Sequence, residues 1–362
     1  MLANERWGGH FVRRSLSSGS PFSHNGLYCK ANLSSFKSHF NFHSAQNTFM
    51  GELSLIKIFR AHAPKHPWIV TGPGHDCAIL HWPSQRGQAF KIDQVVEGTH
   101  FVLSGPGAAT PQQVGWKAMA KACSDIAATG FWPVAATVAV NLPKKSDERI
   151  ALGLYRGICA CCERYSFGLA GGDICVSNNA LSVGVSLLGE GPKKGAWLRS
   201  GAQPGDALLV TGSLGASRAG KHLKFLPRLE EARAIRRLIP GGVHACIDIT
   251  DGLSRDLKHL CDESRCGASI IEEQIPFSRA ALSIAAKSKG RTALEQALGD
   301  GEDFELLLAV APQAAERLMR KWVLPVALRQ IGHIQSERMG CVFIGRDGKR
   351  RNMPDVGYEH VP

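Results

Sequence analysis

The stretch Ala245-Cys246-Ile247-Asp248-Ile249-Thr250-Asp251-Gly252-Leu253-Ser254-Arg255-Asp256-Leu257 decides how the chain is read. Ala245-Cys246-Ile247 has the character of a buried strand, Gly252 permits a tight turn, and Leu253, Leu257 and Leu260 recur at helical spacing. A strand passing directly into a helix is the building unit of a layered α/β fold. Two carboxylates, Asp248 and Asp251, sit at the changeover. Either Asp251 caps the helix and Asp248 is a solvated strand end, or both reach one cleft. The stretch alone leaves both readings open.

Outward from it the same alternation continues. Strand-like runs are expected at Ala89–Asp93, Val134–Leu142, Gly168–Gly171, Leu181–Gly189, Ala207–Thr211, Ala268–Ile271 and Phe304–Val310. Helical patterns occupy Gln112–Thr129, Ser146–Tyr165, Gly215–Leu226, Glu230–Leu238, Ser278–Lys287, Thr292–Leu298 and Gln313–Trp322. A polar connection rich in Gly and Pro, Leu198–Asp206, separates two halves of similar make-up. The fold class is α/β (α+β) in two domains, 50–192 and 193–362. Residues 1–49 are basic, Ser-rich and almost without acid (Glu5 alone), and read as a disordered leader or a mis-assigned start ahead of Met50.

Composition narrows the function. At 362 residues, 44% hydrophobic, the chain has room for two cores. No apolar run approaches the roughly 20 residues of a membrane span. Eleven cysteines without paired spacing suit reduced thiols and a cytoplasmic location. The net charge of +12 suits an anionic partner. Lysines and arginines are dispersed, with no aromatic-interleaved basic stripe, so nucleic acid is disfavoured as that partner.

Acids recur where strands meet Gly-rich turns: Asp76 in Gly74-His75-Asp76, Asp93 at a strand end, Asp125 in a helix, Asp173 after Gly171-Gly172, then Asp248, Asp251 and Glu302. Two carboxylates about 5 Å apart repel by roughly 3 kcal/mol at an effective dielectric near 20. Several of them in one cleft require a cation. Mg²⁺, held by one or two carboxylates together with substrate phosphates and water, meets that need. The chain has neither a Walker loop nor the kinase signature set.

Taken in order, M-G-E-L-S-L-I, G-H-D-C-A-I-L, D-Q-V-V-E-G-T-H-F, G-W-K-A-M-A-K-A-C-S-D-I-A-A-T-G, L-A-G-G-D, L-R-S-G-A-Q-P-G-D, I-D-I-T-D-G-L, G-E-D-F-E-L and the closing G-Y-E-H resemble the thiamine-monophosphate kinases of the AIR synthase-related superfamily. The match runs from Met50 to Pro362. The resemblance implies a homodimer formed through the N-terminal strands, with ATP and several Mg²⁺ in the cleft. It also implies direct in-line transfer of the γ-phosphoryl group to thiamine monophosphate. By the same resemblance Asp76, Asp93, Asp125, Asp173, Asp248 and Asp251 are the metal ligands, with Asp93 and Asp251 the catalytic pair. Tyr155, Gly172, Asp173, Arg199 and Thr250 would contact nucleotide; Tyr155 reads equally as a core aromatic. His100, Glu302 and Tyr358 would bind the acceptor.

Five places depart from the family pattern. His75 stands for an aspartate, Lys91-Ile92 for a Ser/Thr pair, Lys121-Ala122 for Val-Asn, Ile174-Cys175 for Thr-Thr, and Asp300 for the first glycine of Gly-Gly-Glu. Lys91 places an ammonium where a metal would sit, or points to solvent. These losses leave open a weakly active nucleotide-binding homologue, or a related enzyme acting on another small phosphorylated substrate.

Overall fold

The computed structural model describes residues 85–287 and 290–358, with short pieces between residues 58 and 80. Asp76 and the stretch 1–50 lie outside the described residues. Ahead of the main body a small antiparallel ribbon pairs β1 (Ile69–Thr71) with β2 (Ile79–Leu80).

The first sheet has the order β3-β6-β4-β5, from β3 (Arg86–Val96), β4 (Trp132–Pro143), β5 (Gly168–Ser177) and β6 (Ser182–Pro192). Along β3, exposed and covered side chains alternate, as a strand buried on one face requires. Helices α1 (Pro111–Ala128) and α2 (Glu148–Arg164) cover that face. Thr110 opens α1 with a complete capping box to Gln113, and Pro111 occupies the first helical position, where its missing N–H costs nothing.

The two helices are in backbone contact. A Cβ on Gly157 would lie 2.0 Å from the Gln112 carbonyl oxygen, and one on Gly115 would lie 2.0 Å from that of Leu154. Gly157→Ala is therefore expected to force the helices apart and cost about 2–3 kcal/mol in a urea titration. Because α1 carries Ser124 and Asp125, the placement of those two side chains should change with it.

The second sheet has seven strands in the order β13-β12-β9-β11-β7-β10-β8. They are β7 (Ala207–Thr211), β8 (Val243–Asp248), β9 (Cys266–Ile271), β10 (Leu306–Val310), β11 (Leu328–Ser336), β12 (Cys341–Ile344) and β13 (Arg350–Asn352). The continuous apolar run Leu306–Val310 is explained by its place: Leu306, Leu308 and Val310 face one core, Leu307 and Ala309 the other. The first of these cores is continuous with the one beneath the four-stranded sheet. The remaining helices are α3 (Leu229–Leu238), α4 (Leu253–Ser264), α5 (Arg279–Lys287), α6 (Ala293–Gly299) and α7 (Pro312–Lys321). Leu253, Leu257 and Leu260 of α4 bury against the second core, as their spacing predicts, and Cys261 joins them.

One expected helix is absent. Gly215–Leu226 forms two 3₁₀ turns, Ser217–Ala219 and Lys221–Leu223. Ala216 at φ 53° and Gly220 at φ 125° break the helical path. The Lys221 ammonium also donates to the Ser213 carbonyl at 2.7 Å.

Candidate functional site

The strand-to-helix stretch settles its own ambiguity. The N-cap of α4 is Gly252, at φ 108°, with no side-chain cap. The turn's N–H groups at Thr250 and Asp251 both donate to Asp256 Oδ2 at 2.9 Å. Asp256 thus pins the turn ahead of the helix, and Asp251 lines a cavity. Asp248, the last residue of β8, is 3% exposed and lines the same cavity.

That cavity, about 170 Å³, opens between the two sheets. One end is built of carboxylates and lysines. Asp93 comes from β3, Asp125 from α1 and Asp248 from β8; Ser124 Oγ donates to Asp248 Oδ2 at 2.7 Å, joining α1 to the second sheet. Lys91 lies 2.9 Å from Asp125 and 3.6 Å from Asp93, and Lys121 lies 2.8 Å from Asp93. Of the two readings of Lys91, the structure takes the one in which it meets the acids. Burial, then the charge of Asp248, pushes the Asp125 carboxyl up to about 7 despite Lys91. Burial raises Asp248 as well, against the opposing pull of Ser124, Lys91 and Arg199.

The other end is made by Thr99, His100, Arg218, Glu302 and Tyr358. The Val96 N–H donates to His100 Nδ1 at 3.1 Å, which leaves the neutral ring's proton on Nε2. Glu302 stands at φ 55° and Phe304 at φ 52°, a left-handed conformation costly for such residues. Packing holds it: Phe304 stacks on Phe225 with ring centres 3.8 Å apart, and Glu302 N–H donates to the Thr250 carbonyl at 2.7 Å. The Tyr358 N–H donates to the Asp251 carbonyl at 3.0 Å, and Arg218 lies 5.9 Å from the centre of the Tyr358 ring. Three loops distant in sequence are stitched together at this end.

Of the residues expected from sequence, the cavity brings together Asp93, His100, Asp125, Arg199, Asp248, Thr250, Asp251, Glu302 and Tyr358. Tyr155, Gly172 and Asp173 do not line it. Tyr155 is 4% exposed, on the core face of α2 near Cys159, so the core reading holds for it. Gly172 and Asp173 lie exposed on β5, at the opposite edge of the sheet from Asp93. Sequence reasoning missed Lys117, Arg218, Thr99 and Phe304. For Lys117 a signal existed, a lysine among the apolar positions Val114, Ala118 and Met119 of a helix. Arg218 had none, because its segment was read as a helix.

Hard oxygen donors, Asp248 buried and Asp125 partly buried, both with raised pKa values, fit a hard divalent cation such as Mg²⁺. Among the described residues no three acids are close enough to hold an ion alone. The rest of a coordination shell would come from phosphate oxygens and water, the usual way Mg²⁺ is bound.

The family models for "AIR synthase related protein" match this chain twice, the N-terminal domain at residues 74–190 and the C-terminal domain at 203–344. A thiamine-monophosphate kinase of Rhodopirellula baltica is 38% identical over 320 residues, spanning 86% of this chain and 95% of that protein. The thiamine-monophosphate kinase of Stenotrophomonas maltophilia K279a, solved by crystallography, superposes with a TM-score of 0.69 at 27% identity, over 83% of this chain and 98% of its own. AaThiL complexed with AMPPCP and TMP superposes with a TM-score of 0.65 at 26% identity, over 87% and 100%.

Proposed function

Because this chain belongs to the AIR synthase related protein family, among its thiamine-monophosphate kinases, we propose that it transfers the γ-phosphoryl group of ATP to thiamine monophosphate, yielding thiamine diphosphate and ADP. The observation that carries this reading is the two-ended cleft. Phosphate-handling acids and cations from both sheets stand at one end, and a carboxylate beside an aromatic ring at the other.

The acceptor phosphate is the nucleophile. One of its oxygens bonds to Pγ as the bond from Pγ to the bridging β–γ oxygen breaks, and no proton has to move. Donor and acceptor are both anions, so positioning and charge screening supply most of the acceleration. Bound Mg²⁺ would neutralise the meeting phosphates and polarise the transferred group, held by Asp93, Asp125, Asp248 and Asp251. Asp93 and Asp251 face the transfer point from opposite sheets. Lys91 and Lys121 hold Asp93 and Asp125 in place. Arg199 and Thr250 contact nucleotide phosphate. Tyr155, Gly172 and Asp173 do not line this cavity. At the far end Glu302 and the Tyr358 ring suit a cationic thiazolium and an aminopyrimidine.

Incubation with ATP, Mg²⁺ and thiamine monophosphate should form thiamine diphosphate, read by chromatography after oxidation to the fluorescent thiochrome. Chelation of Mg²⁺ should abolish it. No product at any Mg²⁺ concentration would refute the assignment.

A homodimer through the open face of the first sheet accompanies this reading. Phe90 is 77% exposed and Ile92 78%, neighbours on the uncovered face of β3, where a monomer would leave apolar surface in water. Phe90→Asp with Ile92→Asp should convert dimer to monomer in sedimentation velocity. Among the described residues no helix is long and apolar enough to cross a membrane. The nine described cysteines are free thiols, which suits a reducing cytoplasm.

A further inference from the structure

We propose that Lys117 is a positioning residue of the acceptor subsite, its buried ammonium fixing the carboxylate of Glu302 so that one oxygen is left to receive an N–H or cationic group of the acceptor. The inference rests on the phosphotransfer reading above and names how its acceptor end is held.

Lys117 is 0% exposed, on the inward face of α1. Its Nζ donates to Glu302 Oε1 and to the His100 carbonyl, each at 2.6 Å. One ammonium therefore ties the first sheet's helix to the loop after β3 and to the acid loop of the second sheet. Lysine is seldom buried completely, and such a pair is weak evidence for stability, since an apolar pair of similar volume often serves as well. Its geometry points to another role. Glu302 Oε2 is buried, has no hydrogen-bond partner, and has the Arg218 Nε at 3.5 Å as a charged neighbour. An acceptor oxygen left in that state costs about 1–3 kcal/mol. A ligand donor entering the cavity would recover it. Without Lys117 the carboxylate could rotate toward Arg218, and the oxygen aimed at the ligand would be lost.

Calorimetric titration of the full chain with thiamine monophosphate, and separately with a non-hydrolysable ATP analogue, tests this. Lys117→Gln should weaken thiamine monophosphate binding roughly 10- to 100-fold and leave the nucleotide affinity within about twofold. Lys117→Gln/Glu302→Gln should bind the acceptor no worse than Glu302→Gln alone, because one residue acts through the other. A purely structural lysine would weaken both ligands together, or add its effect to that of Glu302→Gln, and either result overturns the proposal. If the variants do not fold, the unmodified protein decides. Burial holds the Lys117 ammonium down to about 8, Glu302 opposing and Arg218 and Lys121 adding to it. Of its other charged neighbours, His222 is held below its ordinary range by burial and stays neutral above pH 7. Acceptor affinity should then fall as pH rises past about 8 while nucleotide affinity holds, and a flat acceptor profile overturns the proposal. Failure of the unmodified protein to bind thiamine monophosphate while binding nucleotide would overturn the acceptor reading itself. Normal binding with indifferent variants would overturn only the role of Lys117.

Discussion

Asp248→Asn is expected to cut kcat by roughly 10²–10³-fold while leaving the metal-free protein more stable than the parent. Both effects follow from one arrangement. Asp248 is buried at the end of β8, and Asp125 is pushed up to about 7 by burial and then by Asp248's charge. With its folded value above the ordinary 3.8, Asp125 keeps a proton between about pH 4 and 7 that the unfolded chain gives up. Metal-free stability therefore falls as pH rises through that window. Asparagine can still accept the Ser124 hydrogen bond at 2.7 Å but removes one of the repelling charges, so the fall should flatten. The same change removes a ligand charge from the phosphate end of the cleft. Thermal melts between pH 5 and 8 in chelator, alongside steady-state kinetics with Mg²⁺, measure both. Turnover within tenfold of the parent would sink the assignment of Asp248 to the transfer site.

Asp248 and Asp251 were legible from sequence because they fall at a strand end beside Gly252, whereas Asp125 sits within a helix and Asp93 lies inside β3, which runs on to Val96 past the strand end expected for it. Asp93, Asp125 and the pair Asp248 and Asp251 arrive from three separate segments, and the cavity gathers all four. The helices with clear caps were equally legible: Thr110 with Gln113, and Thr292 with Glu295. The C-terminal strands β11 to β13 were not read, since Gly332 interrupts β11 and β13 is wholly exposed, so neither shows a clean alternation. Tyr155 was weighed evenly between nucleotide and core. Its helical neighbours Ala151, Ile158, Cys159 and Cys162 are all buried, which favoured the core face throughout. The conformation of Glu302 and Phe304 has no sequence signature. It is imposed by contacts from residues some 80 positions earlier, which local propensity does not encode.

Those contacts set the second large effect. Arg228→Met is expected to cost about 3–5 kcal/mol of stability, the range for stranding one member of a buried ion pair. Arg228 grips Glu305 with two hydrogen bonds, Nε to Oε2 at 2.6 Å and Nη2 to Oε1 at 2.7 Å. Lys221 Nζ adds 2.8 Å to Oε1, and Thr211 Oγ1 donates to Oε2 at 2.8 Å. Glu305 is 0% exposed. Burial alone would raise its pKa, yet Lys221 and Arg228 outweigh that and hold it below the ordinary range. The stability from this group is accordingly present above the ordinary glutamate pKa and lost as pH falls below it. Methionine keeps much of the volume of arginine but leaves Glu305 with Lys221 as its one charged partner. Adding Glu305→Leu should restore most of the loss, because the penalty lies in the stranded charge and not in the missing pair. Function should fall further than stability. Glu305 follows Phe304 directly, and the anchored pair braces the left-handed turn that aims Glu302 into the cleft, so thiamine monophosphate binding should weaken even where the protein remains folded. Urea titrations of the single and double variants, read with acceptor binding, decide it. A single-variant cost under about 1 kcal/mol would show that the network does not brace the loop.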